Sequence, residues 1–327
     1  MTFRLLLMGT GTFALPAFEA LIGASHQIVG LVTQPDRAGR GHHRHPHPLK
    51  ELAQSHGIPV LQPDNINQPP WPERIGELQP DLAVVAAYGQ ILSADVIGIP
   101  ALGAVNLHAS LLPKYRGAAP IPYAIKNGES ETGVSVFQIQ PKLDAGNVLG
   151  MLQTAIEPDE TAGQLESRLA VLAAEVCMQV VGQIESGTAT AIPQDAAQVS
   201  LAPKLTKAAG AIDWDQSPTM IGCHVRAMQP WPKAFSYLHS ADRPPQRLLI
   251  LETAIIPEDS LETPDAGPDS ARPGSIVLAD GRRLAVQTAE GPVEILSLQP
   301  EGKRKMNVVD YQCGNPIAVG DRLGPAD

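Results

Sequence analysis

The amino-acid sequence predicts an α/β protein with two domains. From residue 3 to about residue 186, apolar segments of strand length alternate with helical segments, which is typical of a doubly wound, mainly parallel sheet. Beyond residue 206 this rhythm gives way to short segments of alternating polarity, which favour a small β-barrel. The 327 residues suffice for two domains. We therefore expect a first domain at 1–188, a linker at 189–206 and a second domain at 207–327.

The composition is that of an ordinary globular chain, with 43% hydrophobic and 18% charged residues. A net charge of −10 argues against a sequence-independent nucleic-acid coat but leaves room for a local basic site. Cys177, Cys223 and Cys313 form no C-x-x-C pair, so neither disulfides nor a zinc site are expected. This cysteine usage fits a reducing cytoplasm. No stretch approaches 18 apolar residues, so we expect no membrane span. We further expect a monomer.

The chain opens with an apolar strand at 3–8, the turn Gly9-Thr-Gly-Thr-Phe-Ala14, and a helix at 13–22. This G-x-G-x-x-A order is the Rossmann dinucleotide fingerprint. Its confirming acidic residue should close the second strand, at 28–32, but Asp36 comes late and follows a proline. A non-catalytic dinucleotide-binding sensor therefore stays open as an alternative.

The rest of the first domain continues the alternation of strands and helices. We predict strands at 58–61, 81–87, 102–105, 132–139 and 148–156, and helices at 50–56, 73–78, 118–126 and 162–186. The segment 81–87 is apolar on both faces, as parallel strands tend to be, and 148–156 reads as an edge strand. The last helix carries a long apolar stripe, which indicates core packing.

The segment from Asn106 to Gly117 reads Asn-Leu-His-Ala-Ser-Leu-Leu-Pro-Lys-Tyr-Arg-Gly. On an extended chain, residues i and i+2 point to the same face, so a strand end would present Asn106 and His108 together. Pro113 and Gly117 then break the chain into a loop, where α/β proteins place their sites. Taken alone, such a pair is more typical of capping or turn groups than of a catalytic site.

This string resembles the signature of the folate-dependent formyltransferases, Asn-x-His-x-Ser-Leu-Leu-Pro followed by a spacer and Gly. The family's second motif, Leu-Asp-x-Gly, is matched by Leu143-Asp-Ala-Gly146. The resemblance implies that Asn106, His108 and Asp144 are catalytic. Formyl transfer passes through a tetrahedral oxyanion, to which the Asn106 amide and a protonated His108 can donate. Asp144 can orient His108 and favour its charged form, or relay a proton, although Asp before Ala-Gly is also ordinary turn chemistry.

The resemblance also implies 10-formyltetrahydrofolate as formyl donor, with no metal. In the family, two turns line the folate pocket. Here they comprise Tyr88, Gly89, Gln90, Ile91, Leu92, Ser110, Leu111, Leu112 and Pro113. Gly11 departs from the Gly-Thr-Pro usual in the family; it changes backbone stiffness but removes no catalytic group.

The segment 36–50 holds three Arg, one Lys and four His. It can be a metal-binding tract, a solvated basic loop, or an arm for phosphate backbones. Resemblance to the methionyl-tRNA formyltransferases favours the arm, because their Arg-bearing insertion engages the acceptor end of tRNA and Arg40 matches it.

The second domain resembles the OB-like C-terminal domain of the same family in Lys204-Leu-Thr-Lys207, Ile212-Asp-Trp214 and Pro230-Trp-Pro232. We predict its strands at 234–238, 247–254, 274–278, 284–288 and 293–298, interrupted by an acidic hairpin at 257–273. We read Trp214 and Trp231 as core aromatics. The predicted tRNA contacts are Arg37, Arg40, Arg44, Lys50, Lys204, Lys207, Arg226, Lys303, Arg304 and Lys305.

Together these observations predict a cytoplasmic enzyme that formylates charged methionyl initiator tRNA, with a folate-binding catalytic domain and an OB-like tRNA-binding domain. The alternative within the same chemistry is a formyltransferase acting on an amino-sugar nucleotide or another small amine.

Overall fold

The computed structural model describes residues 2–36, 47–241, 243–256 and 272–326. The chain forms two compact units. The first unit comprises residues 1–121, 131–155 and 164–203, and the second comprises 122–130, 156–163 and 204–327. Most of the segment expected to be a linker, 189–206, therefore belongs to the first unit.

A seven-stranded sheet forms the centre of the first unit. Its strands are β1 (Arg4–Gly9), β2 (Gln27–Val32), β3 (Val60–Leu61), β4 (Leu82–Ala86), β5 (Ala104–His108), β6 (Glu131–Gln138) and β7 (Val148–Ala155). They lie in the order β3-β2-β1-β4-β5-β6-β7. The first five pair in parallel, whereas β6 and β7 are antiparallel to their neighbours. The mainly parallel sheet is confirmed, with an antiparallel pair of strands at one edge.

Five helices connect these strands, and a sixth follows β7. They are α1 (Leu15–Gly23), α2 (Pro48–Ser55), α3 (Trp71–Glu77), α4 (Ala94–Ile97), α5 (Pro120–Lys126) and α6 (Ala162–Glu185). Proline stands in the first turn of α1, α2 and α3, where its missing N–H costs no helical hydrogen bond. Helix α4 was not predicted from the sequence; it is a single turn that begins where the Ser93 hydroxyl accepts from the Val96 N–H.

Helix α6 is the one helix in the described part of the chain with the length and mean hydropathy (1.2) needed to cross a membrane. Core helices have the same composition. Leu165, Leu169 and Ala173 are buried at helical spacing along it. Val176 and Val180 lie close to Gly150 of β7, where a side chain would collide with them. The apolar stripe of α6 therefore packs against the sheet.

The topology brings the two predicted folate segments to one edge of the sheet. Strands β1, β4 and β5 run in parallel, with Ala86 level with Leu107 in the pairing of β4 and β5. Residues 87–92 leave the carboxyl end of β4, and residues 109–117 leave that of β5. In open α/β sheets, ligands bind at this edge.

The second unit contains a curled antiparallel sheet. Its strands are β8 (Ala234–Ser240), β9 (Arg243–Ile255), β10 (Ile276–Ala279), β11 (Leu284–Thr288), β12 (Gly291–Pro300), β13 (Met306–Asn307) and β14 (Arg322–Gly324). Their order is β10-β11-β12-β9-β8-β14, and β13 pairs with β12. The predicted OB-like β-domain is confirmed. Helices α7 (Pro218–Ala227) and α8 (Val308–Gly314) were not predicted.

Candidate active site

Asn106 and His108 lie at the carboxyl end of β5, two residues apart. The alternation of a strand directs both side chains to the same face of the sheet. His108 is buried, with 5% of its surface exposed, whereas Asn106 is only half-buried. No hydrogen bond joins the Asn106 amide to the residues that the structure describes. Both N–H groups of that amide are thus available to a ligand.

The imidazole of His108 is held between a carbonyl and a carboxylate. Its Nε2 lies 2.8 Å from the Tyr115 carbonyl oxygen, and its Nδ1 lies 3.9 Å from Oδ2 of Asp144. The ring also packs edge-on against Phe137, with 6.3 Å between ring centres. Because a carbonyl can only accept, Nε2 carries a proton. In the neutral ring, Nδ1 is therefore the unprotonated nitrogen, and it faces Asp144.

Burial decides the charge of this ring. Desolvation lowers the pKa of His108 from its ordinary value of 6.5, and the opposing effects of Asp144 and the Tyr115 carbonyl offset this only in part. The protonated His108 expected from the sequence is therefore not the form that the free site favours at neutral pH. Asp144 favours the charged form, as expected, but does not outweigh the loss of water.

Asp144 stands on the turn between β6 and β7 in a left-handed conformation, with φ of 44°. The Gly117 N–H donates to its Oδ2 at 2.8 Å. Gly146 allows the turn to close, since a side chain there would collide with the Gln138 carbonyl. The carboxylate reaches His108 from this turn. Asn106 lies two residues before His108 on the same face of β5, next to this pair.

The loop that follows His108 is fixed by two hydroxyl groups, one from the loop and one from β6. The Ser110 hydroxyl donates to the Lys114 carbonyl at 2.7 Å. The Ser135 hydroxyl donates to the Ser110 carbonyl at 2.7 Å and accepts from the Leu112 N–H at 3.0 Å. The Leu112–Pro113 peptide bond is cis. Ser110, predicted to contact folate, uses its hydroxyl to shape the loop.

The other predicted folate segment divides into buried and exposed side chains. Tyr88 and Leu92 belong to the core, and burial raises the pKa of the Tyr88 phenol. Gln90 accepts from the Ile66 N–H and donates to the Pro63 carbonyl. Ile91, in contrast, is 81% exposed. Within 88–92, Ile91 is therefore the exposed large side chain, while Tyr88, Gln90 and Leu92 anchor the turn.

The predicted tRNA-binding residues also differ in environment. Lys50 forms an ion pair with Asp36 and donates to Gln62. Arg226 donates to the Glu160 carbonyl at 3.0 Å and to the Cys223 sulfur at 3.3 Å. Five others are exposed at the surface: Lys204, Lys207, Lys303, Arg304 and Lys305. Arg37, Arg40 and Arg44 lie outside the described residues, as does most of the acidic segment 257–273.

The expectation for the two tryptophans was half right. Trp214 is buried, and its indole N–H donates to the Ser236 hydroxyl at 3.0 Å. Trp231 is 49% exposed, so it is not a core residue. It lies between Pro230 and Pro232 in the connection from α7 to β8, where no strand places it against the core.

Two residues near the site were not anticipated from the sequence. Gln194 contacts the main chain of the Asp144 turn, and the buried Arg116 contacts Gln194. Gln194 belongs to no periodic pattern or motif. Arg116 stands next to Gly117 at the end of the string that begins at Asn106, but the string does not indicate what its side chain contacts. Among the described residues, no group of three or more His, Cys, Asp or Glu side chains is arranged to hold a metal.

Comparison with known proteins agrees with this geometry. Residues 1–181 match the formyl transferase family, and residues 204–316 match the formyl transferase C-terminal domain. The methionyl-tRNA formyltransferase of Methylococcus capsulatus is 41% identical over 322 residues, which cover 98% of this chain and 99% of that protein. This chain belongs to the methionyl-tRNA formyltransferase family. A second relative of that name, from Ruminiclostridium cellulolyticum, is 39% identical over 98% of this chain and 99% of its own length.

Solved structures share the fold of this methionyl-tRNA formyltransferase family member at lower identity. An N-formyltransferase from Helicobacter canadensis, in complex with folinic acid and dTDP-3-aminofucose, superposes with a TM-score of 0.65 at 16% identity, covering 90% of this chain and 99% of that one. HypX from Aquifex aeolicus gives a TM-score of 0.59 at 17% identity. It covers 98% of this chain, which spans 48% of the length of HypX.

Proposed function

We propose that this chain transfers the formyl group of 10-formyltetrahydrofolate to the α-amino group of methionyl initiator tRNA. The observation that carries the proposal is the meeting of Asn106, His108 and Asp144 at one edge of the sheet, with 3.9 Å between imidazole and carboxylate. Relatives about 40% identical over nearly the whole chain bear the name of this activity. Related folds hold folinic acid or tetrahydrofolic acid, which supports a folate co-substrate.

The first step forms a bond between the amine and the formyl carbon. The amine nitrogen attacks, the carbonyl electrons move to oxygen, and the Asn106 amide donates to the resulting oxyanion. The attacking nitrogen gives up a proton to Nδ1 of neutral His108. The lowered pKa of His108 suits this role, because it keeps the imidazole unprotonated at neutral pH.

The second step breaks the bond between the formyl carbon and N10 of the folate. The electrons on oxygen restore the carbonyl, and the imidazolium returns its proton to N10 as the tetrahydrofolate leaves. Between the steps, the positive ring lies between the Asp144 carboxylate and the Tyr115 carbonyl. Both groups favour the charged ring, so they stabilise the intermediate more than the free enzyme.

The exposed cations of the second unit are proposed to hold the tRNA backbone. Lys303, Arg304 and Lys305 follow one another in the turn between β12 and β13. When three adjacent cations neutralise phosphates, the counterions of the nucleic acid are released, which favours binding even though the net charge of the chain is negative. Lys204 and Lys207 are further candidates, and Arg37, Arg40 and Arg44 stay predictions made from the sequence.

The deciding assay supplies the purified chain with 10-formyltetrahydrofolate that carries a labelled formyl group. One reaction contains methionyl initiator tRNA, and a second contains an amino-sugar nucleotide. Label should appear in the tRNA fraction and depend on His108, so that in His108→Ala it accumulates at least about 100-fold more slowly. Label in the sugar nucleotide alone would replace this proposal with the alternative acceptor.

A further inference from the structure

Gln194 uses every hydrogen-bonding position of its side-chain amide. Its Nε2 donates to the carbonyl oxygens of Asp144 and Gly146, each at 2.8 Å. Its Oε1 accepts from Nε and Nη2 of Arg116, at 3.1 and 2.6 Å. An amide with both protons and its oxygen engaged has one orientation available. Gln194 therefore acts as a bracket on the turn that carries the catalytic carboxylate.

The turn itself provides little restraint. The hydrogen bond within it that the structure describes, from the Ala145 N–H to the Lys142 carbonyl, is long at 3.4 Å. Asp144 also occupies a left-handed conformation, which is unfavourable for a residue with a side chain. A loosely closed turn that contains a strained residue needs contacts from outside. Gln194 supplies the contacts to the main chain, and the Gly117 N–H supplies the contact to the carboxylate.

Arg116 joins this bracket to the other half of the site. It is 7% exposed, and its main chain forms hydrogen bonds with that of Ser200 and of Ala202. The residue before it, Tyr115, accepts from His108, and the residue after it, Gly117, donates to Asp144. One three-residue segment thus contacts the imidazole, the carboxylate and the bracket.

We propose that Gln194 is a positioning residue for Asp144, fixing the 144–146 main chain so that the carboxylate stays beside His108. Arg116 orients Gln194 for this task. The kinetic consequence rests on the proposed formyl transfer, while the geometric consequence does not. Loss of the bracket should let the carboxylate move away from the imidazole, and displacements of about 1 Å at a catalytic group can cost about 100-fold in rate.

The test replaces Gln194 with methionine, which has a similar length and shape but no donor or acceptor. The matched control is Gln198→Met, four residues away on an exposed position, where the hydrogen bond that the side chain donates within the described residues goes to Asp195. For Gln194→Met we expect kcat about 10- to 100-fold lower, with unchanged KM for folate and tRNA. The control should match the wild-type chain in kcat and in the KM values for folate and tRNA.

A second readout does not depend on activity. Asp144 is the charged group among the described residues that raises the pKa of His108. If the carboxylate moves away in Gln194→Met, the imidazole should titrate at lower pH than in the wild-type chain, as followed by NMR of the His108 ring. Such a shift in a chain that formylates no tRNA would sustain the positioning role and reject the proposed function.

A stable Gln194→Met chain with the kcat and the His108 titration of the control would overturn the inference. If Gln194→Met lowers the melting temperature so far that the chain does not fold, Arg116→Lys and Arg116→Met decide. Lysine retains one donor for Gln194, so it should keep more kcat and a smaller titration shift than methionine. Equal values for the two Arg116 variants would also count against the bracket.

Discussion

The surroundings of Asp144 in the first unit and the basic turn 303–305 in the second unit carry charge in opposite ways. Around Asp144, an imidazole and a guanidinium are buried and the carboxylate is partly buried, and each has specified partners. At 303–305, three cations stand in solvent. Bond making needs groups held to fractions of an ångström, whereas attraction of a phosphate backbone needs only charge within a screening length of about 10 Å. Substitutions should therefore affect the two regions through different kinetic constants.

The largest effect is expected from His108→Ala. It removes the base and the group that Asp144 and the Tyr115 carbonyl stabilise when charged. We expect kcat to fall by about 100- to 10,000-fold, the range typical for general acid–base groups, with little change in folate binding. Single-turnover formylation and folate titration measure the two. His56→Ala, at an exposed histidine of α2's C-terminal end, is the control and should keep wild-type activity.

The next largest effect should come from Gly146→Ala, which adds a methyl group but removes no side chain that takes part in the proposed chemistry. A Cβ at this position would collide with the Gln138 carbonyl, so the Asp144 turn must shift. A shift of about 1 Å can cost about 100-fold in kcat. Gly182→Ala is the control, because a Cβ there meets nothing within 4 Å on a helix and should stabilise the chain by about 0.5–1 kcal/mol. Unchanged kcat in Gly146→Ala would show that the carboxylate tolerates displacement.

The pH dependence of kcat reports on the charges at the first of these regions, around Asp144 and His108. Neutral His108 is the proposed base, so kcat should rise with pH through a pKa below 6.5 and then level off. Asp144→Asn removes the charge that raises this pKa, so the rising limb should move to lower pH, beside any loss of maximal rate. Steady-state rates in one buffer series measure the limb. A limb that stayed in place or moved upward would mean that the Asp144 charge does not raise the pKa of His108.

The site and the fold were not equally readable from the sequence. Long apolar runs predicted the central strands, and the two separated motifs predicted Asn106, His108 and Asp144. Strand direction is not encoded in polarity, so the antiparallel β6 and β7 had to be observed, although the short connection at 139–147 is the signal that favours them. Helix α7 was hidden because its buried residues, Ile221, Cys223, Val225 and Ala227, fall at every second position, as in a strand.

The role of Gln194 was not predicted from the sequence for a different reason. It lies 50 residues from Asp144 in a polar stretch without periodicity, and it contacts main-chain carbonyls. A carbonyl leaves no mark in the sequence, because every residue has one. The protonation state of His108 could likewise not be predicted from the sequence, since residue types show which charged groups lie near the imidazole but not how far water is excluded from it. Burial had to be observed before the neutral form became the expected one.

The smallest effect is expected at the basic turn, where Lys303, Arg304 and Lys305 are changed together to glutamine. KM for methionyl-tRNA should rise several-fold while kcat stays unchanged, because these cations are exposed and none of them is among the residues proposed to carry out the chemistry. The dependence of log affinity on log salt should flatten by about 1 for each phosphate that the variant no longer neutralises. Filter binding over a salt series measures the slope, and Arg304→Gln is compared with Arg282→Gln, a cation of the same unit outside the turn. Equal salt slopes for these two single variants would show that the tRNA-binding surface does not include 303–305. A lower kcat in the triple variant would show that the basic turn also affects the chemical step, so that the two regions do not act through different kinetic constants.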